Sequence, residues 1–212
     1  MKIKADNITN LTDARYFAAK EVEWLSFNFT EGSSAYIEPM KARAMFEWVE
    51  VPNIVGVFEK VTAEEVNFYT QSWGLKTIQV GNMTLNEEIL AMENVEIIKE
   101  FDIEVFTNPE FLREQMNLLK EKVDVFQFNF QQNGITWEDL QQPTSMLILE
   151  DLTNLCKSYN IILKIDFQPF MLNDISSINP FGLAIEGGDE ERVGVKSFDE
   201  LDEIFDGLEI VY

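Results

Sequence analysis

Residues 1–29 read MKIKADNITNLTDARYFAAKEVEWLSFNF. KIKA (residues 2–5) has the look of a short strand, DARYFAAKEV (13–22) spaces its apolar residues as a helix does, and EWLSFNF (23–29) reads as a second, aromatic-rich strand. Asn10 stands where a helix N-cap belongs, with Asp13 three residues on as the reciprocal acid. Where the first strand turns toward the helix, the chain carries a bare carboxylate, Asp6, and then a side-chain amide, Asn7.

The unit repeats. Further strand signals fall at NIVGVF (53–58), KTIQV (76–80), VEIIKEF (95–101), VDVFQFNF (123–130), NIILKIDF (160–167) and GLAIEG (182–187). Amphipathic segments lie between them, among them PMKARAMFEWV (39–49), TAEEVNFYTQSWG (62–74), FLREQMNLLKEK (111–122) and EDLTNLCKSYN (150–160). Eight strands alternating with helices over about 200 residues predict an α/β fold, a (β/α)8 TIM barrel. No Pro-, Gly- or Ser-rich linker divides the chain, so residues 1–212 are expected to form a single domain. A doubly wound open sheet is the rival, but no Gly-rich phosphate fingerprint follows the first strand.

Composition narrows the chemistry. There is no histidine, which removes Ser/His and Cys/His nucleophiles, imidazole zinc sites and histidine acid–base catalysis. The single cysteine, Cys156, excludes an intrachain disulfide and falls among leucines, where a buried apolar role is expected. With 38 acidic against 16 basic residues the net charge is −22, which repels phosphate backbones and anionic lipid, so nucleic acid and membrane are not expected partners. The N-terminus has no apolar signal-peptide stretch, and a cytoplasmic location is expected. The triplets NIT, NFT and NMT then count only as local polar sequence.

Five pieces in register, MKIK…ITNLTDA, WLSFNF…SSAYI, VGVFEKVTAEEV, the IQ of IQVGN, and GVKSFDEL near the end, carry a family likeness. The chain resembles phosphoribosylanthranilate isomerase of tryptophan biosynthesis from end to end, most strongly over residues 1–81. The resemblance implies a small (β/α)8 barrel that performs an Amadori rearrangement of an aminoribose phosphate. It implies a cysteine general base at the end of the first strand, an aspartate general acid at the end of the sixth, and glycine-rich turns after the last strands that cradle phosphate.

Placed on that pattern, the departures gather at the C-terminal ends of the strands, where such barrels keep their sites. Asp6 and Asn7 stand where the family has cysteine and glycine, Ala35 where it has an arginine, and Gly81 and Asn82 where it has His-Gly. Asn129 takes the place of the acid, and the glycine-rich turn after it is reduced to NGITWEDL, keeping Gly134. In the seventh strand LKIDF puts Ile165 and Asp166 where two glycines bracket the phosphate. In the eighth, Ala184 replaces an aspartate, and Glu186 with Gly187 replaces a serine pair, leaving Gly188 intact.

An amide at Asn129 has no titratable proton, a loss worth on the order of 10²–10⁴ in rate for a general acid. A carboxylate of pKa near 3.9 is a far weaker base than a thiolate near 8.5, although burial of Asp6 among other acids would raise it. Ile165 obstructs a backbone cradle, and Asp166 and Glu186 oppose a phosphate dianion. The eighth strand lies beside the first, so Asp6, Asp166 and Glu186 are expected to converge, joined by Glu100 and Asp102, as an acidic basin. Oxygen ligands without histidine suit Mg²⁺ or Ca²⁺, so a divalent ion is the one cofactor to consider; otherwise none is expected. The plainer expectation is that Asp166 pairs with Lys4 or Lys164. Phe27, Phe29, Phe58, Phe126, Phe128 and Phe167 are expected in barrel layers or under helices, and Phe167, Phe170 and Trp137 alone fall close enough to the rim to stack on a ligand.

Three readings stay open. The first is a diverged homologue with the isomerase reaction lost, binding a small molecule or a partner. The second is a working isomerase with Asp6 as base, and the third an ion-assisted enzyme acting on a non-phosphorylated small molecule. A monomer and a homodimer are both compatible with the sequence.

Overall fold

The computed structural model describes residues 1–50, 52–142, 146–187, 190–192 and 195–211. Eight strands, β1 (Lys2–Asp6), β2 (Trp24–Asn28), β3 (Asn53–Phe58), β4 (Thr77–Val80), β5 (Glu96–Asp102), β6 (Val125–Asn129), β7 (Ile161–Lys164) and β8 (Gly182–Glu186), pair in sequential order. Every pairing is parallel, and β8 returns to β1 to close the barrel, with Asp6 opposite Glu186. The helices packed around it are α1 (Leu11–Ala19), α2 (Pro39–Phe46), α3 (Ala63–Trp73), α4 (Asn86–Ala91), α5 (Pro109–Leu119), α6 (Trp137–Leu140), α7 (Leu149–Ser158), α8 (Leu172–Ser177) and α9 (Asp199–Val211). The eight strand signals thus become the barrel that their alternation predicts.

Local chemistry sets the helix starts. Asn10 accepts a hydrogen bond from the Asp13 N–H at 2.9 Å and donates to the Asp13 carboxylate at 2.8 Å, the reciprocal cap expected from the sequence. Thr62 and Glu65 make a capping box at the start of α3, and Gly74 ends that helix in the left-handed conformation at φ 70°. α2 stops at Phe46, earlier than residues 39–49 predict, and Val49 reaches the core from the turn beyond. Among the described residues, no helix is long and apolar enough to cross a membrane.

One apolar shell lies between strands and helices; Phe17, Leu25, Phe27, Ile78, Phe128 and Leu155 are fully covered in it. Cys156 is buried beside them, as expected, and so are Phe29, Phe58 and Phe126. Trp137 departs from expectation: at 1% exposure it belongs to this core and is not available to stack on a ligand. Phe170 does stand out in solvent.

A second, smaller cluster fills the lower barrel, with Trp24, Val55, Ile98, Val125, Ile162 and Ala184 each coming from a different strand. Side chains two residues further along share the same inward face, because strand side chains alternate. Here those positions are Ser26, Glu100, Gln127, Lys164 and Glu186, with Val57 the apolar exception; Ser26, Gln127 and Lys164 are buried, as are the polar Lys4, Gln79 and Asn129. A barrel interior is ordinarily filled with branched apolar side chains. This one changes from an apolar floor to a buried polar layer below its C-terminal mouth.

Candidate functional site

The mouth is built around Asp6, the last residue of β1. One carboxylate oxygen receives Lys4 Nζ at 2.6 Å and the Ser26 hydroxyl, and the other receives Lys164 Nζ at 2.9 Å. Lys164 also reaches Glu186 at 2.6 Å, and the Asn7 amide donates to the same Glu186 oxygen at 2.7 Å. Asn7 holds φ 53°, left-handed backbone that Asn tolerates better than most residues other than Gly. Lys4, Asp6, Lys164 and Glu186 therefore form a tetrad of two positive and two negative charges.

Burial alone would push the Asp6 carboxyl up, but the Lys4 and Lys164 ammoniums outweigh it and hold it far below the ordinary carboxylate range. Burial also opposes the Lys164 charge, and Asp6 and Glu186 more than reverse that, raising it above the usual lysine value. Lys4 is lowered by burial, with Asp6 restoring only part. The expected upward shift of Asp6 is thus overturned. Its neighbours are cations, and it has no proton to give and little affinity for one near neutrality.

A cavity of about 410 Å³ opens above this layer. It brings together Asp6, Asn7, Ala35, Gly81 and Asn129 from the sequence-predicted set, with Glu100 and Asp102. Asn129 Oδ1 accepts from the Gln132 N–H at 3.1 Å, and its Nδ2 lies 3.4 Å from Glu100. Gly81 is a close-approach position: a Cβ there would lie 2.0 Å from a Glu59 carboxylate oxygen and 2.9 Å from Glu59 Cα. The Asn82 amide donates to Asp102 at 2.7 Å. Behind this rim the buried Lys99 donates to the Gly81 carbonyl at 2.6 Å, and burial lowers its pKa to about 8 against the pull of Glu59, Glu100 and Asp102.

A second cavity, about 470 Å³, lies between the ends of β7 and β8 and the start of α9. Ile165, Asp166, Phe167 and Glu186 line it together with Asp199 and Glu200 from the first turn of α9. Asp166 takes a hydrogen bond from Gln131 Nε2 at 2.6 Å, so the expected pairing of Asp166 with Lys4 or Lys164 is incorrect: both lysines serve Asp6. Gly134 lines neither of these cavities; at φ 63° it terminates the 3₁₀ turn Gln131–Asn133. Gly187 lines neither as well, and Gly188 lies outside the described residues.

The expected cation cage of Asp6, Asp166 and Glu186 does not form. An ammonium, Lys164 Nζ, occupies the space between Asp6 and Glu186, and Asp166 turns toward Gln131. Among the described residues no group of three or more Asp, Glu or Cys side chains is arranged to hold a metal. The acidic basin is correspondingly corrected to a neutral tetrad, with further acids around it. Sequence reasoning passed over Gln79, Gln127, Glu59 and Lys99. For the two glutamines a signal was present: polar residues two apart in runs otherwise apolar, as in VFQFN, mark the barrel's inner face.

A family model described as N-(5'-phosphoribosyl)anthranilate (PRA) isomerase matches residues 3–134. The chain is 26% identical over 210 residues to an N-(5'-phosphoribosyl)anthranilate isomerase of Chlorobium phaeobacteroides, covering 95% of this chain and 94% of that one. A crystal structure of phosphoribosyl anthranilate isomerase from Thermus thermophilus superposes with a TM-score of 0.75 at 25% identity, covering 100% of both chains. A second structure, at 19% identity and a TM-score of 0.72 over 99% of this chain and 98% of its own, is phosphoribosyl anthranilate isomerase in complex with reduced 1-(o-carboxyphenylamino)-1-deoxyribulose 5-phosphate, and this likeness speaks to fold alone. With the barrel, the register of its strands and the match through the first six of them in agreement, the chain belongs to the N-(5'-phosphoribosyl)anthranilate isomerase family.

Proposed function

We propose that this chain is a family member that binds a small, uncharged, non-phosphorylated molecule in the barrel mouth and does not turn over phosphoribosylanthranilate. The observation that carries this reading is the tetrad. Asp6 is bound by two ammonium ions, which leaves no free base at the end of β1, and Asn129 offers an amide where a proton donor is needed. Both lysines that could greet an anionic substrate are committed to Asp6, and Lys164 to Glu186 as well.

The second cavity supports the same conclusion. A helix N-terminus favours anions through its unpaired N–H groups, but the first turn of α9 carries Asp199, Glu200 and Asp202. Each acid about 5 Å from a phosphate charge costs about 3 kcal/mol at an effective dielectric near 20. Ile165 adds a buried β-branched side chain to the wall.

The test is incubation of the purified protein with phosphoribosylanthranilate, alongside complementation of a tryptophan auxotroph that lacks the isomerase. No consumption, no growth and no rise in melting temperature with inorganic phosphate are expected. A second reading, a working isomerase, is favoured by the isomerase name of the curated relative matched over 95% of the chain. Growth of the auxotroph, lost in Asp6→Asn, would establish it.

A further inference from the structure

Three carboxylates of the 410 Å³ cavity, Glu59, Glu100 and Asp102, each keep an oxygen without a close donor. Glu59 accepts from the Met83 N–H at 3.0 Å through Oε1, and Asp102 from the Asn82 amide at 2.7 Å through Oδ2. Among the described residues Glu59 Oε2 and Asp102 Oδ1 receive no hydrogen bond. Glu100 Oε2 takes Gln79 Nε2 at 2.9 Å and Gln127 Nε2 at 2.5 Å, whereas Oε1 has Asn129 Nδ2 at 3.4 Å, the long limit of a hydrogen bond. Gln79 adds a fourth acceptor to the same wall: it is 2% exposed, it has spent its amide on Glu100, and its own Oε1 is buried with no donor. Buried polar atoms are rarely left so.

Ammonium groups stand close by but give these oxygens no hydrogen. Lys99 donates to the Gly81 carbonyl, Lys4 to Asp6, and Lys164 to Asp6 and Glu186. Their charge is nonetheless felt. Glu59, Glu100 and Asp102 all act on Lys99. At Glu100, burial and then Asp6 and Asp102 work against the carboxylate, while Lys164, Lys4 and the three amides work for it. Charge on this wall is thus largely answered from behind it, and what is missing is donors. The β2 side of the cavity is the reverse. Thr30 Oγ1 accepts from the Glu59 N–H, and Ser33 Oγ from the Asn28 amide and the Ala35 N–H, so among the described residues each hydroxyl keeps its own hydrogen to give.

Building on the reading of the mouth as a site for an uncharged, non-phosphorylated molecule, we propose that its ligand is a neutral polyol, whose hydroxyls donate to Glu100 Oε1 and Asp102 Oδ1 and accept from Thr30 and Ser33. A hydroxyl is donor and acceptor at once, so one kind of group satisfies both walls. A ketone or an ether would answer the β2 side alone, and an ammonium the β5 side alone. Hydrogen bonds to an ionised carboxylate are about twice as strong as neutral ones, which lets a molecule without charge bind through its hydroxyls. Val57 and Phe58 of β3 also line the cavity and offer the C–H face of such a chain an apolar surface. The volume, about 410 Å³, falls within the range of about 300–1,000 Å³ common to small-molecule pockets.

The experiment is a ¹H–¹⁵N NMR titration of the full chain, read at backbone and side-chain amides, with erythritol, xylitol and sorbitol as probes. Pentanediol and cadaverine are the controls, carrying the xylitol carbon chain with two hydroxyls or two ammonium groups. At least one polyol is expected to shift the side-chain amides of Gln79, Gln127 and Asn129 and to bind at least tenfold more tightly than either control. Asp102→Asn and Ser33→Ala, each with the amide spectrum of a folded barrel, should bind that polyol at least fivefold more weakly. Glu100→Gln should lose it altogether, and the milder pair keeps the test decisive if that variant does not fold. No shift at those amides with any of the polyols, a control bound as tightly, or full affinity in either Asp102→Asn or Ser33→Ala overturns the polyol seat. Isomerase turnover measured on the same samples separates the two ideas: turnover refutes the functional reading whatever the polyols do, and failure of the polyols without turnover refutes only the seat.

Discussion

Replacing Asp6 with Asn tests the tetrad directly, because it removes one charge and almost no volume. Lys4 is fully buried, and among the described residues Asp6 is its ion-pair partner; Lys164 would keep Glu186. Breaking a buried pair by deleting one member leaves an uncompensated charge and costs about 3–5 kcal/mol. In a chain of this length each kcal/mol moves the melting temperature by about 2–4 °C, so Asp6→Asn should melt roughly 6–20 °C lower at pH 7. Urea unfolding followed by circular dichroism gives the free energy. A second variant, Lys4→Met/Asp6→Asn, should recover most of the loss, since it removes the stranded ammonium as well.

The pH dependence has a definite sign. The folded pKa of Asp6 lies below its unfolded value, so its contribution is fully present above about pH 4 and is lost as pH falls toward the folded pKa. Wild type and Asp6→Asn should therefore differ most near neutrality and converge in acid. A loss under about 1 kcal/mol at pH 7, or a gap that stays constant down to pH 3, would refute the ion-paired description of the mouth.

Three further outcomes follow from the same structure. Gly81→Ala should lose about 1–3 kcal/mol, because the new methyl meets both the carboxylate and the Cα of Glu59; an unchanged urea midpoint would contradict that contact. Thr62→Ala removes the capping box of α3 and should lower stability by about 1 kcal/mol, read as a small drop in melting temperature that a conservative Thr62→Ser restores. Cys156 is 8% exposed, with burial pushing its thiol up to about 12, so a disulfide reagent should label it slowly in the native protein and rapidly in urea; fast native labelling would show that the face of α7 that carries it is not packed against the core.

Much of the fold was legible because its signals are local. Alternation marked each strand, helical spacing marked the segments between them, and Asn10 with Asp13 announced the start of α1 within four residues. The burial of Cys156 and of five strand phenylalanines was equally plain from their neighbours. Trp137 misled because its distance along the chain from the end of β6 says nothing of direction: in α6, begun by the Thr136 cap, its ring points into the core.

The sequence alone determined that eight βα units close into a barrel, and that acids and amides, with no histidine, gather at the strand ends. It could not determine which charges meet. Lys164 reaches Asp6 from the far end of the chain because β8 closes onto β1 and β7 stands one strand beyond, so the pairing exists only once the barrel has closed. The tertiary structure thus decided that Asp6 is an ion-paired carboxylate, that Asp166 turns to Gln131, and that Glu100 is left among amides. The protonation state of a buried group depends on the few ångströms around it, and those neighbours come from strands far apart in sequence.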